Sequence, residues 1–187
     1  MQGYIFLRFL FLGVPVLCYY DKGIALLALV VLFVLFSVFE FSRFLGKSLD
    51  EKIRKKYFFF LVPIGEKRIA KLLYLTAALF IVVNFFEKDV AIFSISVALI
   101  YGVVSLIFNS FAKVKIKNNT LEGIIAGIGF AYITGIYLGN DLNLGQNVII
   151  SSVIAAPLTE LIISCLDENF SVPFFVAVAA QFVKNSF

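Results

Sequence analysis

Long apolar runs alternate with short groups of charged residues along the whole chain. A run of about 20 apolar residues is the length that an α-helix needs to cross the hydrocarbon core of a bilayer. Seven such runs are present, at residues about 3–20, 24–42, 69–86, 90–110, 121–138, 146–165 and 170–186. We therefore predict an all-α fold, a polytopic integral membrane bundle of about seven transmembrane helices. Residues 1–187 are expected to form a single domain.

Composition agrees with this pattern. Hydrophobic residues make up 61% of the 187 and charged residues 15%, whereas soluble domains are about half apolar and a quarter charged. The absence of histidine excludes histidine catalysis, and two cysteines without a C-x-x-C motif leave zinc and haem sites without visible ligands. The basic residues lie between apolar runs, so they indicate membrane orientation and not binding to nucleic acid.

The distribution of lysine and arginine predicts the topology. With the N-terminus in the cytoplasm, thirteen basic residues fall on the inner side and three on the outer side. Such an asymmetry favours an N-in, C-out arrangement. The polar segment of about 43–68 then lies on the cytoplasmic side, and its mixture of basic and apolar residues predicts an amphipathic surface segment. For a bacterial-type cell, the predicted location is the inner, or cell, membrane.

Polar residues that are costly in a membrane gather near the predicted cytoplasmic face. Glu160 lies about two turns before the end of the sixth run, and Asp167 and Asn169 follow in the turn before the seventh. Glu160 and Asp167 are seven residues apart, which places them on one helical face. Carboxylates so placed can hold Mg²⁺ together with substrate phosphates. The alternative is structural: Glu160 pairs with a lysine, and Asn169 or Ser171 caps the last helix.

A second polar group opens the fifth run. Thr120 is suited to cap that helix, and Glu122 in its first turn is either a favourable charge at the helix N-terminus or a metal ligand. Gly123 and Gly127 are four residues apart, a spacing that permits close packing against another helix. We expect Glu122, Glu160, Asp167 and Asn169 to converge in one cytoplasmic-side cavity.

These motifs resemble the CTP-dependent lipid kinases of the dolichol kinase, phytol kinase and fungal-type diacylglycerol kinase group. The group is distantly related to phosphatidate cytidylyltransferases. Its members have a glutamate in the penultimate span and a D-[ND]-N-x-[ST]-[VI]-P turn before the last, similar to Glu160 and the segment 167–173 here. A [ST]-L-E-G motif resembles the segment 120–123, and an E-x-x-R motif resembles the segment 40–43.

The chain departs from this family at three positions. The family places an aspartate after a glycine in the fourth span, whereas here Gly102 precedes Val103. Asn119 stands where a lysine commonly precedes [ST]-L-E-G. In the first span, Arg8 matches the start of R-K-x-x-H, but Leu12 takes the place of its histidine.

The resemblance implies transfer of a phosphoryl group from CTP, with Mg²⁺ as cofactor, to a membrane lipid alcohol at the cytoplasmic face. The alcohol would be a polyprenol or dolichol, phytol, or a diacylglycerol. The implied catalytic residues are Glu160, Asp167 and Asn169, and the implied metal ligands are Glu122, Glu160 and Asp167. The expected nucleotide- or phosphate-binding residues are Arg43, Lys113, Lys115, Lys117 and Thr120.

Two other functions remain open. One is a phosphatidate cytidylyltransferase-like reaction on the same fold. The other is a catalytically degenerate, non-enzymatic membrane protein, which the three departures allow. A transporter is disfavoured because the polar residues gather at one face and no internal repeat is evident. A homodimer is compatible with the sequence.

Overall fold

The computed structural model describes residues 8–45, 71–111, 114–116, 119–163 and 166–186, without the side chains of residues 39, 40, 42–45 and 119. Seven helices cover most of these residues: α1 (Gly13–Tyr20), α2 (Lys22–Leu45), α3 (Lys71–Phe85), α4 (Lys88–Asn109), α5 (Leu121–Asp141), α6 (Gln146–Ile162) and α7 (Glu168–Ser186). Residues 8–11 are also helical and precede α1. The prediction of an all-α fold is confirmed.

The predicted apolar runs correspond to the helices because charged or amide-bearing residues end each run. Asp21 separates α1 from α2, and its Oδ1 accepts hydrogen bonds from the backbone N–H groups of Gly23 and Ile24, at 2.6 and 3.3 Å. This side chain therefore caps α2 at its N-terminus. Asn143, with φ of 54°, ends α5 in the left-handed conformation that asparagine tolerates better than most residues.

The segment between α4 and α5 contains a small β-ladder. Strand β1 (Lys115–Ile116) pairs antiparallel with β2 (Asn119–Thr120), Lys115 opposite Thr120. Because β2 leads directly into α5, the ladder fixes where α5 begins. Most of the predicted amphipathic segment of about 43–68 lies outside the described residues.

Helix α4 lies at the centre of the bundle. One face of α4 joins a core cluster with α1, α2 and α3, and the opposite face joins a second cluster with α5, α6 and α7. Several hydroxyl groups buried inside the helices donate to carbonyls one turn earlier, as Ser94 does to Val90 at 2.6 Å. Such bonds satisfy hydroxyls in an apolar interior.

Two of the helices are long and apolar enough to cross a membrane, Lys88–Asn109 and Leu121–Asp141. Four shorter apolar helices occur in the described part of the chain, at Arg8–Tyr20, Lys22–Val38, Lys71–Phe85 and Gln146–Ile162. Seven helices therefore correspond to the seven predicted runs, and the number of membrane crossings stays a prediction.

Candidate active site

A cleft opens at one end of the bundle, where α6 ends and α7 begins. It is a small cleft that is partly open to the outside. Its apolar wall consists of Leu75, Ala98, Leu99, Leu106, Val172 and Pro173. Its polar side consists of Arg8, Tyr101, Ser105, Glu160, Glu168 and Asn169. Five segments of the chain thus contribute to one amphipathic cleft.

Glu160 in the last turns of α6 is bound to a tyrosine of the central helix. The Tyr101 hydroxyl donates to Glu160 Oε2 at 2.5 Å. Tyr101 is only 1% exposed, and its ring packs against α5 at Gly127, where a Cβ would lie 2.8 Å from the ring. The glycine predicted to permit close helix packing therefore lets α5 approach the tyrosine that holds Glu160.

Arg8 and the turn before α7 form a second polar chain. The Arg8 guanidinium donates to Asn169 Oδ1, and Asn169 Nδ2 donates to Asp167 Oδ1 at 2.5 Å. The Asn169 amide thus links a cation to a carboxylate, and both residues of the Arg8–Asn169 pair are more than nine-tenths buried. Burial of a guanidinium is tolerated when its donors have partners.

Asp167, and not Asn169 or Ser171, caps α7. Its Oδ1 accepts from the Asn169 backbone N–H at 2.9 Å, and its carbonyl accepts from the N–H groups of Phe170 and Ser171. The helix begins at Glu168, so Asn169 is already helical and its side chain faces Arg8. The expectation that Asn169 or Ser171 caps this helix was wrong because Asp167 satisfies the first N–H groups.

Glu168 brings a second carboxylate to the cleft. It lies 3.5 Å from Lys71 Nζ at the start of α3. The side chains of both residues are partly exposed, so this ion pair is accessible to water. The cleft therefore combines Glu160 and Glu168 with the charges of Arg8 and Lys71 nearby.

The predicted residues at the start of α5 serve a structural connection. Thr120 caps α5 as predicted: its Oγ1 accepts from the Gly123 N–H at 3.1 Å and donates to Asn109 Oδ1 at 2.6 Å. Asn109 Oδ1 also accepts from the Thr120 N–H at 3.0 Å. Thr120 and Glu122 are not among the residues that line the cleft.

The predicted set of metal ligands does not form one group. No three histidine, cysteine, aspartate or glutamate side chains of the described residues are close enough to hold a metal ion. Glu122, Glu160 and Asp167 are all described and are not found as such a group, and their convergence around a metal ion stays a prediction. The carboxylates that share the cleft are those of Glu160 and Glu168.

Most of the predicted basic residues are remote or outside the description. Lys115 is exposed in β1. Arg43 lies in α2 with its side chain outside the described residues, and Lys113 and Lys117 are also outside them. Arg8 is the basic residue in the cleft.

Sequence reasoning did not select Tyr101, Ser105 or Glu168. Helical spacing offers a signal for the first two, because positions 98, 101, 102 and 105 share one face of α4 with spacings of three and four.

Compared with known proteins, the chain matches no family model, no curated protein and no solved structure.

Proposed function

We propose that the chain is an integral membrane protein with seven spans, N-terminus in the cytoplasm and the cleft at the cytoplasmic face of the cell membrane. Large apolar side chains on the outside of the bundle support this placement. On α2 they include Leu27, Val34 and Phe41, which are 69%, 52% and 65% exposed. Apolar surface of this extent marks contact with lipid or with another protein.

Cysteine labelling in intact cells tests the placement. In a background where Cys18 and Cys165 are replaced by alanine, Gln146→Cys is expected to react with a membrane-impermeant maleimide, and Lys115→Cys only after permeabilisation. Both positions are exposed. Labelling of Lys115→Cys from outside would refute the orientation.

We further propose that the cleft transfers a phosphoryl group from CTP to a lipid alcohol of the polyprenol, phytol or diacylglycerol type. The observation that carries this proposal is the meeting of Arg8, Glu160 and Asn169 in one cleft. Arg8 and Asn169 are 161 positions apart in the chain. Glu160 and Asn169 belong to segments that resemble motifs of the CTP-dependent lipid kinases, and Arg8 matches the first residue of a third motif, so a shared cleft gives these residues one purpose.

The two sides of the cleft suit the two substrates. The apolar wall accommodates the first carbons of a lipid, and the polar side accommodates phosphates. Glu160 and Glu168 would hold Mg²⁺, since this ion takes one or two carboxylates together with substrate phosphates. When bound, the ion supplies charge neutralisation for the phosphates.

The chain's own residues would act by positioning and by proton transfer. Glu160, held by Tyr101, accepts the proton of the lipid hydroxyl. The hydroxyl oxygen forms a bond to the γ-phosphorus, the bond from that phosphorus to the bridging oxygen breaks, and CDP leaves. Arg8 contributes positive charge beside the transferred group, and Asn169 orients the guanidinium.

Transfer of radiolabel tests the reaction. Protein in lipid nanodiscs is incubated with Mg²⁺, a lipid alcohol and CTP labelled at either the γ- or the α-phosphate. Label from the γ-position alone is expected in the lipid. Label from the α-position, with phosphatidate as acceptor, would identify the cytidylyltransferase alternative.

A matched pair of variants shows whether the cleft is responsible. Glu160→Gln is expected to lower transfer by about a hundredfold or more, because such electrostatic contacts contribute several kcal/mol to the transition state. Glu87→Gln, at the opposite end of the bundle, is expected to retain activity. Failure of the wild-type protein to bind CTP or to transfer either label would favour a non-enzymatic protein.

A further inference from the structure

The guanidinium of Arg8 rests on a glycine of the central helix. A Cβ on Gly102 would lie 2.7 Å from Arg8 Nη1 and 3.6 Å from Cζ. A side chain at this position would therefore move the guanidinium. Arg8 is 7% exposed and lines the cleft, so glycine at position 102 admits a positive charge into an otherwise buried place.

Ser105 lies one turn further along α4 and lines the same cleft. It is 2% exposed, and its Oγ has no hydrogen-bond partner among the described residues. Four other buried hydroxyls in the bundle donate to the preceding turn of their own helix, at Thr76, Ser94, Ser96 and Thr159. Ser105 Oγ does not, although a buried donor without a partner is costly. The hydroxyls of Ser152 and Ser171 also have no partner among the described residues, but neither serine lines the cleft.

A hydroxyl without a partner among the described residues and a buried guanidinium, both lining one cleft, have the donor chemistry of an oxyanion site. Arginine binds phosphate through several N–H groups in a planar arrangement, and serine adds an O–H donor. In the reaction proposed above, the nucleotide substrate and the lipid product both carry a phosphate group.

We propose that Arg8 and Ser105 form a phosphate-binding subsite and that Gly102 keeps it open. The inference rests on the proposed function for its biological substrate, but the subsite itself is defined by binding of a phosphate group. In the kinase reaction it would hold the phosphoryl group that passes from the nucleotide to the lipid.

The test measures binding without requiring turnover. Calorimetric titration of the full-length protein, in nanodiscs of phosphatidylcholine with Mg²⁺, uses pyrophosphate as the soluble probe. A second preparation carries a lipid phosphate monoester in the nanodisc. If the subsite binds the phosphate of the lipid product, this lipid competes with pyrophosphate and weakens its apparent binding.

Three variants weaken the subsite in different ways. Ser105→Ala removes the hydroxyl and is expected to weaken binding about fivefold, as for the loss of one hydrogen bond. Arg8→Gln removes the charge and is expected to weaken it more than tenfold. Gly102→Ala retains every donor but displaces the flexible end of Arg8, so we expect a loss similar to that of Arg8→Gln.

Ser94→Ala is the matched control. Ser94 is a buried serine of the same helix, but its Oγ donates to the Val90 carbonyl, and it does not line the cleft. The Ser94→Ala protein is expected to bind the probe with the affinity of the wild type. Thermal unfolding of each variant shows whether it is folded. If Arg8→Gln does not fold, the phosphate affinities of Ser105→Ala and Gly102→Ala still test the subsite.

The outcomes separate this inference from the kinase proposal. Binding of pyrophosphate or lipid phosphate that depends on Ser105 and Gly102 supports the subsite, even if no phosphoryl transfer occurs. A different outcome is that the wild type transfers phosphate, while Ser105→Ala and Gly102→Ala have the same phosphate affinity and the same KM for CTP as the wild type. That outcome would overturn the subsite and leave the kinase proposal standing. If the wild type binds neither pyrophosphate nor the lipid phosphate, the subsite is also overturned.

Discussion

The hydroxyl of Tyr101 and the carboxylate of Glu160 lie 2.5 Å apart, which joins the central helix α4 to the last turns of α6. Glu160 is partly buried, and the tyrosine is almost wholly buried. A carboxylate in such a place needs donors to remain well oriented. Tyr101 is therefore a positioning residue for the glutamate that we propose as proton acceptor.

Tyr101→Phe should remove this hydrogen bond while keeping the ring against Gly127. A hydrogen bond to a charged group contributes about 1.5–3 kcal/mol, so we expect kcat to fall about tenfold or more with little change in KM for CTP. Tyr137→Phe, on an exposed side chain, is the control and should have no effect. In a Glu160→Gln background the Tyr101 change should add little, because both residues act through one contact. Equal effects in both backgrounds would contradict the positioning role.

The approach of α5 to α4 depends on Gly123. A Cβ at this position would lie 2.2 Å from Asn109 Oδ1 and 2.9 Å from the Ser105 carbonyl oxygen. Because the second contact is to backbone, it cannot be relieved by a rotamer change. Gly123→Ala should therefore lower the free energy of unfolding by about 1–3 kcal/mol, the usual cost of overpacking.

Gly129→Ala is the matched control for Gly123→Ala. Gly129 lies on the same helix, and a Cβ there would meet nothing within 4 Å. Alanine should instead stabilise the helix, by about 0.5–1 kcal/mol. Denaturation in mixed detergent micelles measures both changes, and a Gly123→Ala protein as stable as Gly129→Ala would contradict the close approach of the helices.

At the other end of the bundle, Glu87 joins α7 to the turn between α3 and α4. Its carboxylate accepts from Lys184 Nζ at 2.7 Å and from Gln181 Nε2 at 2.9 Å. The hydrogen bond from Lys184, followed by that from Gln181, lowers the pKa of Glu87 from its ordinary value of 4.5.

This contact predicts a loss of stability in acid. The pKa of Glu87 is lower in the folded state than in the unfolded state. Its contribution to the free energy of unfolding is therefore complete at pH values above the unfolded-state pKa, and it disappears as the pH falls through the folded-state pKa. The melting temperature of the wild type should thus fall more steeply below pH 4.5 than that of Glu87→Gln. Asp89, whose Oδ2 lies 3.9 Å from Lys184 Nζ, keeps part of the attraction in the variant. Parallel melting curves would refute the prediction.

The helices could be predicted because charged residues bound each apolar run. Asp21 and Glu87 mark two of these ends, and α2 to α7 begin within a few residues of the predicted positions. The β-ladder was not predicted, since strands of two residues leave no periodic pattern. Glu160 and Asn169 could be selected because polar groups are costly in an apolar run.

The remaining site residues depend on packing between distant segments. The contact between Arg8 and Asn169 spans 161 positions, and no local pattern encodes it. Tyr101 and Ser105 occur in an apolar helix, where tyrosine usually packs and serine usually bonds to its own backbone. Glu122 was selected from its place in the first turn of the fifth run and from its motif, whereas the carboxylate that shares the cleft with Glu160 is that of Glu168.

Val103 stands at the position where the lipid kinases that the sequence motifs resemble carry an aspartate. The side chain is 2% exposed and belongs to the interior of the bundle. It is not among the residues that line the cleft, although Gly102 beside it is. The cleft already contains two carboxylates, so an aspartate at position 103 would enter an apolar interior without a role in the proposed site.

Val103→Asp therefore distinguishes a rebuilt site from a degenerate one. If Glu160 and Glu168 have replaced the family's ligands, the variant should lose about 3 kcal/mol of stability, the order of cost for a charge inside a membrane helix, and should bind CTP no better than the wild type. Val103→Asn is the matched control, because asparagine has the shape of aspartate without its charge. This variant should lose less stability than Val103→Asp. Unfolding in detergent and titration with Mg²⁺ and CTP measure the two effects. A gain in Mg²⁺-dependent CTP affinity in Val103→Asp alone would show instead that the missing aspartate is what the wild-type site lacks, and the proposal that Glu160 and Glu168 hold the ion would then be rejected.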